Sequence, residues 1–234
     1  MTRLSLIIPS YNEADNLSLL ESKLVKSFKD KDDIEIIIVD NGSTDHTQAT
    51  LASLIKNTSL KTLRFIRVEK NQGYGFGILA GCEAAKGDFI GWTHADLQTD
   101  PADVLNGFKL MDSDKIFVKG SRIGRPIADN IFSIGMGIFE SIILRTKLWE
   151  INAQPTIFSK KFFLSWSDPP EDFSLDLYSY VMAKKNNLSI KRLTVFFPER
   201  FYGNSSWNTG LTSKLALIQR TIKFSFQLKK RISK

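Results

Sequence analysis

The sequence predicts an α/β fold, a mostly parallel sheet flanked by helices, followed by a basic amphipathic helix at the C-terminal end. Two observations carry this expectation. Through the first 120 residues, short β-branched runs alternate with helical patterns, the arrangement of sheets built from right-handed strand–helix–strand crossovers. The strand candidates are also almost continuously apolar instead of alternating, as strands covered on both faces are. A length of 234 residues suits one core of roughly 200 residues plus an appendage. A chain of this size needs neither disulfide nor structural metal to fold.

In order, the strands expected are LSLIIP (4–9), IEIIIVD (34–40), LRFIRV (63–68), DFIGW (88–92) and KIFVKG (115–120). Between them, Leu17, Leu20, Leu24 and Phe28 recur at helical spacing, then Leu51, Leu54 and Ile55, then Val104, Leu105 and Phe108. Beyond 120 come an apolar helix at 130–144 and a short strand, TIFS (156–159). A helix follows, with Asp168 as N-cap, Pro169 at its first position and Glu171 and Asp172 in its first turn. A strand at 190–198, the turn-rich RFYGNSSWN and a terminal helix complete the chain. Two units are therefore expected, a catalytic-type body over 1–210 and a basic amphipathic helix over 211–234.

Charge and cysteine content narrow the function. The net charge is +7, and residues 214–234 hold seven Lys and Arg with no Asp or Glu. The whole excess sits in the tail, and the body is neutral. That argues against nucleic acid as a partner, which would require a basic surface on the fold. One cysteine, Cys82, with two histidines, His46 and His94, gives neither a disulfide framework nor a zinc set. The apolar start is too short for a secretory signal. The apolar run from Ile131 to Leu144 is shorter than the roughly 20 residues a spanning helix needs.

In a parallel sheet ligands bind beyond the carboxyl ends of the strands. Here those ends read PSYNE, DNGSTD and THADLQTDP. Asp40 is either a turn residue or a carboxylate for a base N–H or a ribose hydroxyl, and Glu13 is either a helix cap or a ligand residue. Asp96 and Gln98 could turn a carboxylate and an amide oxygen toward one hard cation that also binds phosphates, as Mg2+ and Mn2+ do. The segment Gly75-Phe-Gly77-Ile-Leu-Ala80 matches G-x-G-x-x-A and keeps a dinucleotide-binding oxidoreductase as an alternative. It follows the third strand instead of the first, however.

Taken together, PSYNE, VDNGSTD, NQGYGFGILAG and GDFIGWTHADLQTDP resemble the inverting family 2 nucleotide-sugar glycosyltransferases, whose Rossmann-like architecture is the GT-A fold. The likeness runs over roughly residues 3–205. DLQ, GSR at 120–122 and RFYGNSSW at 200–207 resemble most the polyprenyl-phosphate branch, that of dolichol-phosphate mannose synthase. By that resemblance Pro9, Tyr11 and Glu13 line the nucleotide pocket, and Asp40 holds the base. Asp96 and Gln98 bind Mg2+ or Mn2+, and Asp96 also meets the donor. Arg122 meets phosphates or acceptor, and Arg200 sits on a loop closing over the diphosphate. Two positions depart from the family: His94 stands where Asp is usual, and Ser206 where a basic residue is usual.

The implied reaction is inverting transfer of a sugar from a nucleoside-diphosphate sugar to a polyprenyl phosphate at the cytoplasmic membrane face, the protein lying peripherally on it. The alternative acceptor is a glycan hydroxyl, which would need Glu171 or Asp172 as base. A non-catalytic nucleotide-sensing module is a third reading. The wide apolar arc Leu211, Leu215, Leu217, Ile218, Ile222, Phe224, Phe226 and Leu228, faced by basic residues, is the pattern of a helix on an anionic membrane surface. The helix at 130–144 could lie beside it. Both helices could instead pack on the sheet or on a second copy of the chain.

Overall fold

The structure is a computed structural model that describes residues 2–198 and 211–232. It contains, in chain order, β1 (Leu4–Ser10), α1 (Ala14–Phe28), β2 (Ile34–Asn41), α2 (Thr47–Asn57), β3 (Leu63–Val68), α3 (Tyr74–Ala84), β4 (Phe89–Trp92) and α4 (Ala102–Phe108). Then come β5 (Ile116–Ile123), α5 (Ile127–Leu144), β6 (Thr156–Ser159), α6 (Lys160–Leu164), α7 (Leu175–Lys185), β7 (Ser189–Phe196) and α8 (Leu211–Ile232). The seven strands form one sheet in the order β3-β2-β1-β4-β6-β5-β7. Only β6 runs antiparallel to its neighbours. The carboxyl ends of the other six strands therefore share one edge of the sheet.

The apolar strands are buried on both faces, as their composition requires. Leu4, Leu6, Ile8, Ile34, Ile36 and Ile38 pack on Leu17, Leu20, Leu24 and Phe28 of α1 and Leu51 of α2. The alternate residues Ile7, Ile37 and Val39 pack on Ile78 and Cys82 of α3, in a cluster that also takes in α7 and Phe224 and Leu228 of α8. Cys82 is thus a core residue with no partner for a disulfide.

Three details differ from the sequence expectation. The helix expected from Asp168 starts at Leu175 instead. Pro170 disfavours a helical conformation at Pro169, Asp168 is left-handed at φ 50°, and residues 169–174 form a loop that packs on α3. β5 runs on to Ile123, which puts Arg122 within the strand and not on a loop. Finally, α5 is 18 residues long instead of starting at residue 130. Pro126, extended at ψ 145°, begins it and Arg145, left-handed at φ 51°, ends it. By length and composition this helix could cross a membrane.

The C-terminal half of α8 docks on the body through Phe224 and Leu228. Ser225 there donates to Glu140 of α5 at 2.8 Å, both residues being almost fully buried. The second oxygen of Glu140 has no hydrogen-bond partner. Burial pushes the Glu140 carboxyl up to about 7, with the Ser225 hydroxyl opposing in part. Between the ordinary 4.5 and that value the folded chain holds a proton that the unfolded chain releases. Stabilisation present below that window is therefore lost as pH rises through it, on the order of 3 kcal/mol. Thermal melting from pH 5 to pH 8 is expected to show a decline that Glu140→Gln flattens; parallel curves would exclude this carboxyl as its source.

Candidate active site

β4 pairs with β1 only as far as Trp92 on Ile7, while β2 continues alongside β1 to Ser10. Pro9 thus falls where β1 has a neighbour on one side only, which a residue without an N–H tolerates. The sheet order changes direction here, with β2 and β3 to one side of β1 and β4 to the other. Such a switch point opens a crevice above the strand ends. Its walls are the loops 11–13, 41–46 and 93–98.

The first two loops are tied together. Ser43 Oγ accepts from the Asn12 N–H at 3.0 Å, Asn12 Oδ1 from the Thr44 N–H at 2.9 Å, and Thr47 Oγ1 from the Glu13 N–H at 3.0 Å. Asn12 itself is left-handed, φ 55°. Tyr11 is exposed at the mouth, whereas Pro9 and Glu13 are half-buried. Glu13 precedes α1, but its side chain caps no backbone N–H; it accepts from Asn16 Nδ2. Asp40 is fully buried and doubly engaged, accepting from the Ser43 N–H at 3.0 Å and from Arg67 Nη1 at 2.9 Å. It braces the second loop as a turn residue would, and a base N–H would have to share its oxygens.

The third loop is the most constrained. Leu97 is left-handed at φ 61°, an uncommon conformation for a leucine that persists where the surroundings hold it. Its side chain is packed in the core, and Thr93 and Thr99 join their hydroxyls at 2.8 Å beneath the turn. Asp96 Oδ1 accepts from the Gln98 N–H at 3.1 Å, and Gln98 Nε2 donates to the Pro198 carbonyl at 3.3 Å. Anchoring the nitrogen on Pro198 fixes which side of the amide carries the oxygen. Among the described residues no group of three His, Cys, Asp or Glu assembles. A cation would therefore rest on Asp96 and Gln98 and complete its shell from phosphate and water oxygens, a donor set that fits Mg2+ or Mn2+ and not zinc. Arg200 lies outside the described residues, and so does Ser206.

Arg122 reaches this edge from β5 already paired. Its backbone N–H and Nε donate to Glu150 Oε2 at 3.2 and 2.7 Å, with Arg125 3.8 Å from the other oxygen. Burial alone would push Glu150 up, but the hydrogen bond and charge of Arg122 hold its carboxyl below the usual range. Both arginines also lie over the Phe197 ring.

The 169–174 loop seats against the start of α3. The Glu171 carbonyl accepts from the Phe76 N–H at 2.8 Å, and a Cβ on Gly75 would lie 2.7 Å from the Pro170 and Asp172 carbonyl oxygens. Of the two glycines in the G-x-G-x-x-A match, Gly75 admits this backbone and Gly77 the Asn41 side chain, and neither faces a pyrophosphate site. Asp172 accepts from the Ser174 N–H at 2.8 Å and pairs with Arg220 of α8 at 3.3 Å. A cavity of about 310 Å³ lies between this loop and α8, lined by Gln72, Glu171, Asp172, Arg220 and Lys223 among others.

One cluster escaped the sequence reading. Lys119 of β5, fully buried, donates to Asp176 at 2.7 Å and to Thr156 at 2.8 Å. Gln154 Nε2 donates to the same Asp176 oxygen at 3.0 Å and to the Tyr74 hydroxyl at 3.2 Å. The Tyr74 ring stacks on His94 of the Asp96 loop, centroids 5.6 Å apart.

A mostly parallel sheet with a crevice at its switch point has the layout of the GT-A fold. A profile of glycosyl transferase family 2 matches residues 5–167, and the chain belongs to that family. It is 31% identical over 105 residues to the undecaprenyl-phosphate 4-deoxy-4-formamido-L-arabinose transferase of Proteus mirabilis, covering 44% of this chain and 32% of that protein. Over 102 residues it is 31% identical to the dodecaprenyl-phosphate galacturonate synthase of Rhizobium johnstonii, covering 43% and 30%. The matched stretch thus spans about a third of the length of these curated relatives. Among solved structures, glucosyl-3-phosphoglycerate synthase from Mycobacterium tuberculosis, in complex with Mn2+, UDP and glucosyl-3-phosphoglycerate, superposes with a TM-score of 0.73. That match has 15% identity and covers 97% of this chain and 80% of that one; at that identity it speaks for the fold.

Proposed function

We propose that this chain transfers a sugar, with inversion, from a nucleoside-diphosphate sugar to a polyprenyl phosphate at the cytoplasmic face of a membrane. The observation that supports the reading is the left-handed turn at Leu97, which follows a buried Asp96 on the loop after β4, beside the end of β1 that leads to Tyr11 and Glu13 and one strand from Asp40 of β2. The names of the curated relatives support the acceptor class. Asp40 with its loop receives the base, and Pro9, Tyr11 and Glu13 line the nucleotide. Asp96 and Gln98 hold a divalent cation, which when bound neutralises charge on the departing diphosphate. Arg200 stabilises the same charge. Arg122, released from Glu150 by a competing phosphate, meets the acceptor. A lipid phosphate is already ionised at neutral pH, so no general base is required.

Incubation with UDP- and GDP-sugars, Mn2+ and undecaprenyl phosphate tests this: nucleoside diphosphate release that depends on the acceptor is expected. Release stimulated only by a hydroxyl acceptor would favour the glycan reading instead, for which Asp172, beside its cavity, is the base to test.

Membrane placement rests on α5. Ile127, Ile131, Ile134, Ile138 and Ile142 form one stripe, each between 57 and 78% exposed, and Ile123 and Phe196 are exposed as well. The basic last turn of α8 would add roughly 1 kcal/mol per charge near an anionic surface. Co-sedimentation with anionic vesicles is expected to fall in Ile131→Ser/Ile138→Ser and after truncation at Gly210, and to be reversed by high salt. Equal retention of all three forms would point to a contact between copies of the chain.

A further inference from the structure

Tyr74 occupies an unusual position between the 93–98 loop and the 169–174 loop. It begins α3 directly after Gly73, whose φ of 128° few other residues adopt. On one side its ring stacks on Phe173, with centroids 4.9 Å apart and planes 10° from parallel. It also stacks on His94, 5.6 Å apart at 28°. Phe173 adjoins Asp172, and His94 lies two residues before Asp96. The three rings thus bridge the 169–174 loop and the loop expected to hold the donor.

The bridge is anchored from below. Gln154 donates to the Tyr74 hydroxyl, and Gln154 is itself fixed by Asp176 and by the Thr156 hydroxyl, which donates to its Oε1 at 3.0 Å. Lys119 closes the network on Asp176 and Thr156. Lys119 comes from β5, Thr156 from β6, Asp176 from α7 and Gln154 from the loop just before β6, so the Tyr74 ring is held by the rigid body of the protein. The Phe76 N–H to Glu171 carbonyl bond fixes the same junction through the backbone.

We propose that Tyr74 is a positioning residue that sets the separation of the Asp96 and Asp172 loops, and that His94 serves as the last ring of its stack instead of as a metal ligand. The inference rests on the transferase reading and extends it. Imidazole at position 94, where a family carboxylate is usual, is then explained by what it touches: a ring face rewards an aromatic partner and gives nothing to a carboxylate. A displaced loop should lower turnover more than donor affinity, because the reacting atoms lose alignment while the nucleotide contacts persist.

The test compares ring-keeping with ring-removing variants. Tyr74→Leu and His94→Ala are expected to lower kcat about tenfold or more with little change in the KM for the donor, His94→Phe to stay within about threefold, and Tyr74→Phe, which keeps the ring but loses the Gln154 hydrogen bond, to fall between the two. Calorimetric titration of Mn2+ in the presence of UDP supplies a readout apart from turnover, and His94→Phe should bind as the wild type does. Loss of Mn2+ affinity in His94→Phe, at an unchanged melting temperature without metal, would make His94 a ligand and overturn the inference. Should Tyr74→Leu fail to fold, the His94 pair decides: equal kcat in His94→Ala and wild type removes the stack from the mechanism. A wild type inactive with every donor removes the transferase reading, and this inference with it. An active wild type with an unimpaired Tyr74→Leu removes this inference alone.

Discussion

Asp96→Asn is expected to reduce sugar transfer by about a thousandfold, the scale seen when one preorganised electrostatic contact to a transition state is lost. The fold should survive. The interaction that shapes the turn, Gln98 N–H to Asp96 Oδ1, remains available to the carbonyl oxygen of an asparagine, and Leu97 keeps its place in the core. What the substitution removes is the negative charge that a hard cation and a departing diphosphate require. Steady-state turnover with Mn2+ and the melting temperature, measured together, separate the two roles. Turnover near that of the wild type would falsify the assignment of Asp96 to the cation, and the crevice would then need another function. A melting temperature lowered by more than about 5 °C would mean that the strained turn depends on the charge itself.

Much of this architecture is legible in the sequence because parallel strands advertise themselves. Ile36, Ile37, Ile38 and Val39 are buried in succession, which only a two-faced environment explains. Strand ends in such a sheet are also where chemistry gathers, so Asp40, Asp96 and Gln98 could be singled out by position alone. Elements governed by distant packing were harder to read. TIFS is short and gives no hint that β6 runs against its neighbours. In DPPEDF, the acidic residues after two prolines mimic a helix start, but Pro170 and the seating of the loop on Gly75 delay the helix until Leu175. The helix at α5 reads as short from its apolar residues because Asp129 and Asn130 interrupt them near its start.

The Lys119 network was illegible for a different reason. A lysine in FVKG looks like the solvent-facing residue of a strand, and Asp176 looks like a first-turn charge on a helix. Nothing local reveals that residues 57 apart in sequence meet at 2.7 Å in the interior. Only the packing of α7 against the sheet brings them together.

That pairing supports the other large expected effect. Burial pushes the Lys119 ammonium down to about 8, against the pull of Asp176. Lys119→Met removes the cation and leaves the Asp176 carboxylate in the interior with only neutral donors. Breaking a buried pair in this way costs about 3–5 kcal/mol, which for a chain of this size is a fall of roughly 10 °C in melting temperature. Adding Asp176→Leu removes the stranded charge, and the double variant should recover most of that loss. Its turnover should recover only in part, to about the level of Tyr74→Phe, since Gln154 then lacks the acceptor that orients it beneath Tyr74. Stability restored with activity still low assigns the network to alignment of the crevice walls. Joint recovery of both would leave Lys119 and Asp176 as a packing feature, with Tyr74 held by its stack alone; joint loss would show that the pair cannot be replaced by apolar side chains in this core.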